Sequence, residues 1–310
     1  MSAKIAFVFP GQGSQSIGML AELGAQHAVV TNTFAQASEV LGYDLWELVQ
    51  LDVHSQLSQT HITQPALVAA SVSLWRLWLQ QGGATPILLA GHSLGEYSAL
   101  VCSGALDFAD AIRLVEARGR FMQVAVPSGE GAMAAIIGLD NDVVAGVCKA
   151  SAEDQVVVPV NYNAPGQVVI AGSKPAVERA MVACKESGAR AVMPLPVSVP
   201  SHCELMLPAA EQLRVLLEST KVVMPTIPVV QNVDGKVAGS VNAIVSKLVT
   251  HLIEPVLWTQ CVESIAASGI DLVIECGPGK VLNGLSKRIN KTLQTASINN
   301  AALLAATLEQ

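Results

Sequence analysis

The chain has 310 residues, of which 51% are apolar and only 14% charged, and its formal net charge is −7. This composition suits one large α/β domain, or one domain carrying an insertion, and excludes a disordered or fibrous chain. The negative balance argues against binding to nucleic acid or acidic membranes, and no apolar run reaches the length of a membrane span.

In chain order, Ile5-Ala6-Phe7-Val8-Phe9 is too short for a signal peptide and stops at Pro10-Gly11, so it reads as a buried first strand. Residues 65–80 read as an apolar helix with Pro65 in its first turn, 87–90 as a strand, and 108–124 as an amphipathic helix. This alternation predicts a largely parallel sheet covered by helices. The rhythm changes at Pro127-Ser128-Gly129-Glu130-Gly131, a linker-like stretch. A strand (133–138), helix (140–151), strand (155–162), strand (167–171), helix (174–187) and strand (190–197) follow. That βαββαβ order is ferredoxin-like and marks 128–198 as an inserted subdomain. The core is then 1–127 and 199–310. Its later pieces are a helix (204–218), a strand (227–231), helices 241–253 and 258–268, and a strand (271–275).

Gly91-His92-Ser93-Leu94-Gly95 joins the strand at 87–90 to a segment that can be helical. G-x-S-x-G between a strand and a helix is the pattern of a nucleophile elbow. Its glycines leave room for the tight turn that lifts the serine hydroxyl above the sheet, and the amides of the following helix favour an oxyanion there. The motif alone also fits an ordinary glycine-rich turn.

The helix 108–124 carries a cation on the wrong side. At about 100° per residue, Ala111, Leu114, Val115, Phe121 and Met122 share one arc and Arg113, Glu116, Arg120 and Gln123 the other. Arg118 falls within the apolar arc. A guanidinium facing inward needs an anion, either an acid of the chain or a substrate carboxylate held by its planar fork. Periodicity leaves both open.

A serine nucleophile needs a base. His27, His54 and His61 lie in polar segments, His92 points away from the Ser93 hydroxyl, and His251 reads as a satisfied histidine in an apolar helix. His202, in Pro200-Ser201-His202, follows the serine in chain order and is the preferred base. No acid stands out as its partner among Asp107, Asp110, Asp140 and Asp142, and a backbone carbonyl could orient it instead. The six cysteines are scattered without C-x-x-C, which fits reduced thiols in the cytoplasm and neither disulfides nor zinc. Cys203 beside His202 is a poor nucleophile candidate.

Several motifs then converge: Phe9-Pro10-Gly11-Gln12-Gly13-Ser14-Gln15, Thr63-Gln64-Pro65-Ala66, Gly91-His92-Ser93-Leu94-Gly95-Glu96-Tyr97, Glu116-Ala117-Arg118-Gly119, Asn161-Tyr162-Asn163-Ala164-Pro165-Gly166-Gln167, Pro200-Ser201-His202 and Glu275-Cys276-Gly277-Pro278-Gly279. In this order and spacing, over essentially the whole chain, they closely resemble the bacterial malonyl-CoA:acyl carrier protein transacylases of type II fatty acid synthesis. The resemblance implies a cytoplasmic enzyme whose partners are malonyl-CoA and acyl carrier protein, with no metal or redox cofactor. It makes Ser93 the nucleophile, His202 its base and Arg118 the ligand of the malonyl carboxylate. It puts the backbone amides of Gln12 and Leu94 in the oxyanion hole, Gln64 in the acyl pocket, and Asn161 and Asn163 over the cleft. In relatives a backbone carbonyl steadies the base from a position often occupied by glutamine; His251 stands there in this chain.

An acidic carrier needs a local basic patch, and Lys280, Lys287, Arg288 and Lys291 near the C-terminus could provide it, unless they are only a solvated helix face. A serine hydrolase shares the elbow and base but leaves an inward Arg118 unexplained. A non-enzymatic docking relic would have lost Ser93, His202 or Arg118. An acyltransferase for a branched extender remains within the class; Leu94 resembles malonyl-selective members, though one methyl is worth only about 1–3 kcal/mol.

Overall fold

The computed structural model describes residues 4–197 and 199–309. Residues 1–3, 198 and 310, which fall within the domain limits expected from sequence, lie outside them. The strands, in chain order, are β1 (Ile5–Phe9), β2 (Leu88–Gly91), β3 (Gly131–Ile137), β4 (Val157–Ala164), β5 (Gln167–Ser173), β6 (Ala191–Pro194), β7 (Val229–Gln231), β8 (Lys236–Val237), β9 (Leu272–Glu275) and β10 (Gln294–Ser297).

They form two sheets. The larger has the order β10-β9-β1-β2-β7-β8 and is parallel except for β8, which runs antiparallel to β7. The smaller has the order β4-β5-β3-β6 and is antiparallel throughout. The chain is thus a mixed α/β protein with a mostly parallel main sheet.

Alternation along β1 explains its central place. Ile5, Phe7 and Phe9 enter one hydrophobic cluster, and Ala6 and Val8 enter another on the opposite face. Phe7 meets Trp75 and Trp78 edge-on, with ring centroids 5.5 and 5.3 Å apart. Both tryptophans come from the helix Thr60–Gln80, whose buried face runs nearly its whole length. That helix begins five residues before the expected start, so Pro65 lies inside it and not in the first turn. Proline there removes one N–H from the ladder, which burial on all sides offsets.

The helices Lys174–Glu186 and Asn141–Ala152 pack together against the small sheet around Val144, Cys148, Ala180 and Cys184. Contacts tie this layer to the larger one. Tyr162 N–H donates to the Val256 carbonyl and Val256 N–H to the Val160 carbonyl, each at 2.9 Å. Arg288 donates to Gln167.

The structure adds helices Ala21–Gln26, Ala28–Leu41, Leu45–Leu51, Val281–Ile289 and Ala301–Leu308 to those expected from the sequence. It also adds β10, a polar edge strand (Gln294-Thr295-Ala296-Ser297) with no hydrophobic alternation to announce it. The helix expected over 241–253 ends at Thr250, with His251 as its C-cap. Among the described residues, no helix is long and apolar enough to cross a membrane.

Candidate active site

In the parallel part of the main sheet, β1, β2, β7 and β9 end side by side: Phe9 is level with Gly91, Val8 with Glu275, and Ala90 with Val230. The loops beyond these ends therefore converge at the carboxyl edge, where open α/β sheets bind ligands. They carry Gln12, Ser93 and Asn232.

Ser93 follows β2 closely, with φ of +51°, in the left-handed region that side chains avoid. The helix Gly95–Cys102 starts two residues later. The turn is possible only because the motif's outer residues lack side chains. A Cβ at Gly91 would overlap the Gly95 backbone, and one at Gly95 would overlap the Phe9 carbonyl. The loop after β1 presses on the same turn, since a Cβ at Gly11 would lie 2.5 Å from the His92 carbonyl oxygen. Among the described residues, the backbone N–H groups of Gln12 and Leu94 donate to no acceptor of the chain. A pair of free amides beside a raised serine is what a developing oxyanion requires.

His202 also has positive φ, +65°, and is 3% exposed. Its Nε2 lies 2.7 Å from Ser93 Oγ and its Nδ1 2.6 Å from the His251 carbonyl oxygen. A carbonyl can only accept, so Nδ1 carries the proton and Nε2 offers its lone pair to the serine hydroxyl. No acid is needed to set this tautomer. Burial, then the field of Arg118, pushes the His202 pKa down to about 3 despite the bond to the His251 carbonyl, so the ring is a neutral acceptor at neutral pH.

Arg118 sits where the helical wheel put it. It is 1% exposed, and its Nη1 donates to Gln64 Oε1 at 2.9 Å. Its Nε has no partner, and its Cζ lies 5.5 Å from the centre of the Tyr97 ring. Among the described residues no carboxylate forms an ion pair with it; Glu96 acts on it only through its field. Burial lowers its pKa from the usual guanidinium value. Gln64 in turn points its Nε2 at Gln12 Oε1, 3.4 Å away, which links the arginine to the loop after β1.

The asparagines from the small sheet divide. Asn163 Oδ1 lies 2.7 Å from His92 Nε2, so Asn163 holds the elbow's second residue, whose ring also meets Trp258 edge-on. Asn161 makes a parallel bridge with Val256 and keeps a buried, unpartnered Oδ1.

The other histidines stay out of the dyad. His54 is exposed, and His61 Nδ1 faces Gln123 Oε1 at 3.0 Å. His251 is buried, but the expectation that it is satisfied fails: both ring nitrogens lack a partner, and its ring lies 4.7 Å from that of His202. Cys203 Sγ donates to the Pro200 carbonyl at 3.1 Å, and burial pushes its thiol up to about 11, so it is not a nucleophile.

Two residues at the site are not among those the sequence singles out. Glu96 is buried in the first turn of the elbow helix, and Asn232 follows β7. Burial raises the Glu96 carboxyl to about 7, against the hydrogen bonds it accepts. The available signals were an acid immediately after the elbow and a polar residue between an apolar strand and Asp234-Gly235.

The chain is similar to known proteins over nearly its whole length. The family model described as acyl transferase domain matches residues 6–309. The chain is 60% identical over 307 residues to the malonyl CoA-acyl carrier protein transacylase of Salmonella typhimurium, covering 99% of each chain, and 44% identical to that of Bacillus subtilis, covering 96% and 94%. Among solved structures, a malonyl-transacylase in complex with its type II PKS acyl-carrier protein superposes with a TM-score of 0.98 at 57% identity, over 99% of both chains. The malonyl CoA-acyl carrier protein transacylase of Coxiella burnetii superposes with a TM-score of 0.98 at 47% identity, over 100% of this chain and 98% of that one. The chain belongs to the acyl transferase family, among the malonyl CoA-acyl carrier protein transacylases.

Proposed function

We propose that the protein transfers the malonyl group of malonyl-CoA to the phosphopantetheine thiol of acyl carrier protein, through a malonyl ester on Ser93, and so supplies extender units for fatty acid biosynthesis. The observation that carries this reading is a buried guanidinium, unpaired with any described carboxylate, beside an assembled serine–histidine pair. A free acyl carboxylate meets the fork of Arg118; a neutral acyl group leaves it unsatisfied. The relatives' names and the solved transacylase–carrier complex support the same pair of substrates.

Ser93 Oγ attacks the thioester carbonyl while His202 Nε2 takes its proton. The backbone amides of Gln12 and Leu94 hold the oxyanion. Collapse breaks the C–S bond, and His202 returns the proton to the departing CoA sulfur. The carrier thiol then enters, gives its proton to His202 and attacks the ester, and Ser93 leaves with that proton restored. The steps are ping-pong and use no metal or redox group. Gln64 lines the acyl pocket and holds Arg118. Asn161, with its free Oδ1, faces substrate from the small sheet, and Asn163 acts through His92.

In this reading, residues 1–127 and 199–310 form a hydrolase-like core and 128–198 a ferredoxin-like insertion that covers the cleft. The sheet orders and the bonds from Tyr162 and Asn163 to the core support it. Lys280, Lys287, Arg288 and Lys291, all exposed, receive the acidic carrier. Six buried free thiols support a cytoplasmic setting.

Intact-protein mass spectrometry after brief incubation with malonyl-CoA or acetyl-CoA tests the reading. The expected result is a malonyl adduct that is absent from Ser93→Ala, absent with acetyl-CoA, and discharged by carrier protein. An adduct lost to water as fast as to carrier would make the protein a hydrolase.

A further inference from the structure

Ser93 needs more than glycine neighbours to hold a left-handed backbone. The ladder between β2 and β7 pairs Leu89 with Val229 and Ala90 with Val230 and then stops short of the elbow. Where it stops, a side chain takes over. Asn232 Oδ1 accepts the Ser93 N–H at 2.8 Å, and Asn232 Nδ2 donates to the Gly91 carbonyl at 2.6 Å. One planar amide thus grips the turn on either side of His92 and fixes the peptide that leads into the nucleophile. A carboxamide on this short stem offers one acceptor and one donor, and so satisfies both groups at once. An aspartate at the same position would set an acceptor against the Gly91 carbonyl.

The brace is anchored on the elbow's own helix. Asn232 N–H donates to Glu96 Oε2 at 2.9 Å, and Gln231 Nε2 donates to Glu96 Oε1 at 3.2 Å. The Asn232 carbonyl accepts from Leu257 N–H at 2.9 Å. Asn232 is fully buried and Glu96 is 1% exposed, so water does not compete for these bonds. The circuit runs from Ser93 to Asn232, from Asn232 to Glu96, and along one helical turn back to Ser93.

We propose that Asn232, anchored by Glu96, is a positioning residue that holds the nucleophile elbow in its raised form. The proposal rests on the reading of Ser93 as nucleophile. A rotation at Ser93 swings its Oγ away from His202 and turns the Leu94 N–H at the same time, so one loose dihedral disturbs both attack and oxyanion binding.

The test follows two acylations of the full chain by rapid-quench intact mass: malonylation by malonyl-CoA, and phosphonylation of Ser93 by a fluorophosphonate. Asn232→Ala and Asn232→Asp are expected to slow both by about 100-fold. The label should still reach one per chain, and the KM for malonyl-CoA should stay near that of wild type. Glu96→Ala should show the same pattern. Glu96→Gln should recover most of the rate, because its carbonyl still accepts from Asn232 and Gln231, whose Oε1 is unpartnered, can turn its amide to match. Variants that label at the wild-type rate, or to a reduced final level at that rate, would overturn the proposal, as would a raised KM with kcat intact. Wild type that is phosphonylated but never malonylated would overturn the substrate reading, with the brace still judged by phosphonylation. Wild type that takes neither label at Ser93 would overturn both.

Discussion

Arg118 donates to Gln64 Oε1 at 2.9 Å in the protein interior, and among the described residues this amide, not a carboxylate, is its hydrogen-bonded partner. A buried cation held only by a neutral group is costly unless an anion arrives. Arg118→Ala is therefore expected to lower kcat/KM for malonyl-CoA by roughly 30-fold to several thousand-fold, the range for truncating one partner of a buried charge pair. Acetyl-CoA, which has no carboxylate and reacts too slowly to leave an adduct in a brief incubation, should keep its low residual turnover unchanged. Steady-state kinetics with both thioesters checks this, and an equal loss for the two would make Arg118 structural. Arg118→Lys should recover little, since an ammonium lacks the planar fork.

The pH profile follows from His202. Its pKa is pushed down to about 3, first by burial and then by Arg118. A depressed histidine is neutral, and so competent as a base, at every pH above its folded value. The expected profile of kcat/KM has no acid limb near 6.5. Once a malonyl carboxylate offsets the charge of Arg118, that part of the depression is relieved, so the acid limb of kcat should lie at higher pH than that of kcat/KM. A kcat/KM limb between 6 and 7 would show a solvated His202.

His251 offers its carbonyl, not its ring, to the base. Replacing the ring costs no hydrogen bond, because both of its nitrogens are unpartnered. His251→Gln should change kcat by less than about fivefold, under ~1 kcal/mol. Thermal unfolding should show no loss of stability, and Gln could gain a bond to Glu96, whose Oε2 lies 3.8 Å from His251 Nδ1. A large fall in kcat would assign the imidazole a direct role.

Carrier docking is tested by charge. Lys287 and Arg288 are exposed at the end of the helix Val281–Ile289, and Arg288 reaches Gln167 on the small sheet. Reversing both to glutamate should raise the KM for carrier protein by about tenfold or more and leave that for malonyl-CoA unchanged. Added salt should raise the wild-type carrier KM in the same direction. An unchanged carrier KM in the variant would move the docking surface elsewhere.

Local pattern carried much of this protein. The G-x-S-x-G turn, the inward Arg118 on its helix and the alternating strands are short-range features, set by Cβ sterics and by periods of 3.6 and 2, so they are legible before folding. The pairing of Ser93 with His202, 109 residues apart, could be expected only from chain order and resemblance. The His251 carbonyl at Nδ1 of His202 could likewise be expected only from resemblance. Other features depend on which loops the sheet brings to one edge. The use of Asn163 on His92 and the bracing of the elbow by Asn232 and Glu96 follow from strands distant in sequence ending level. Buried amides leave no mark in residue type or spacing, so only the tertiary structure decided them.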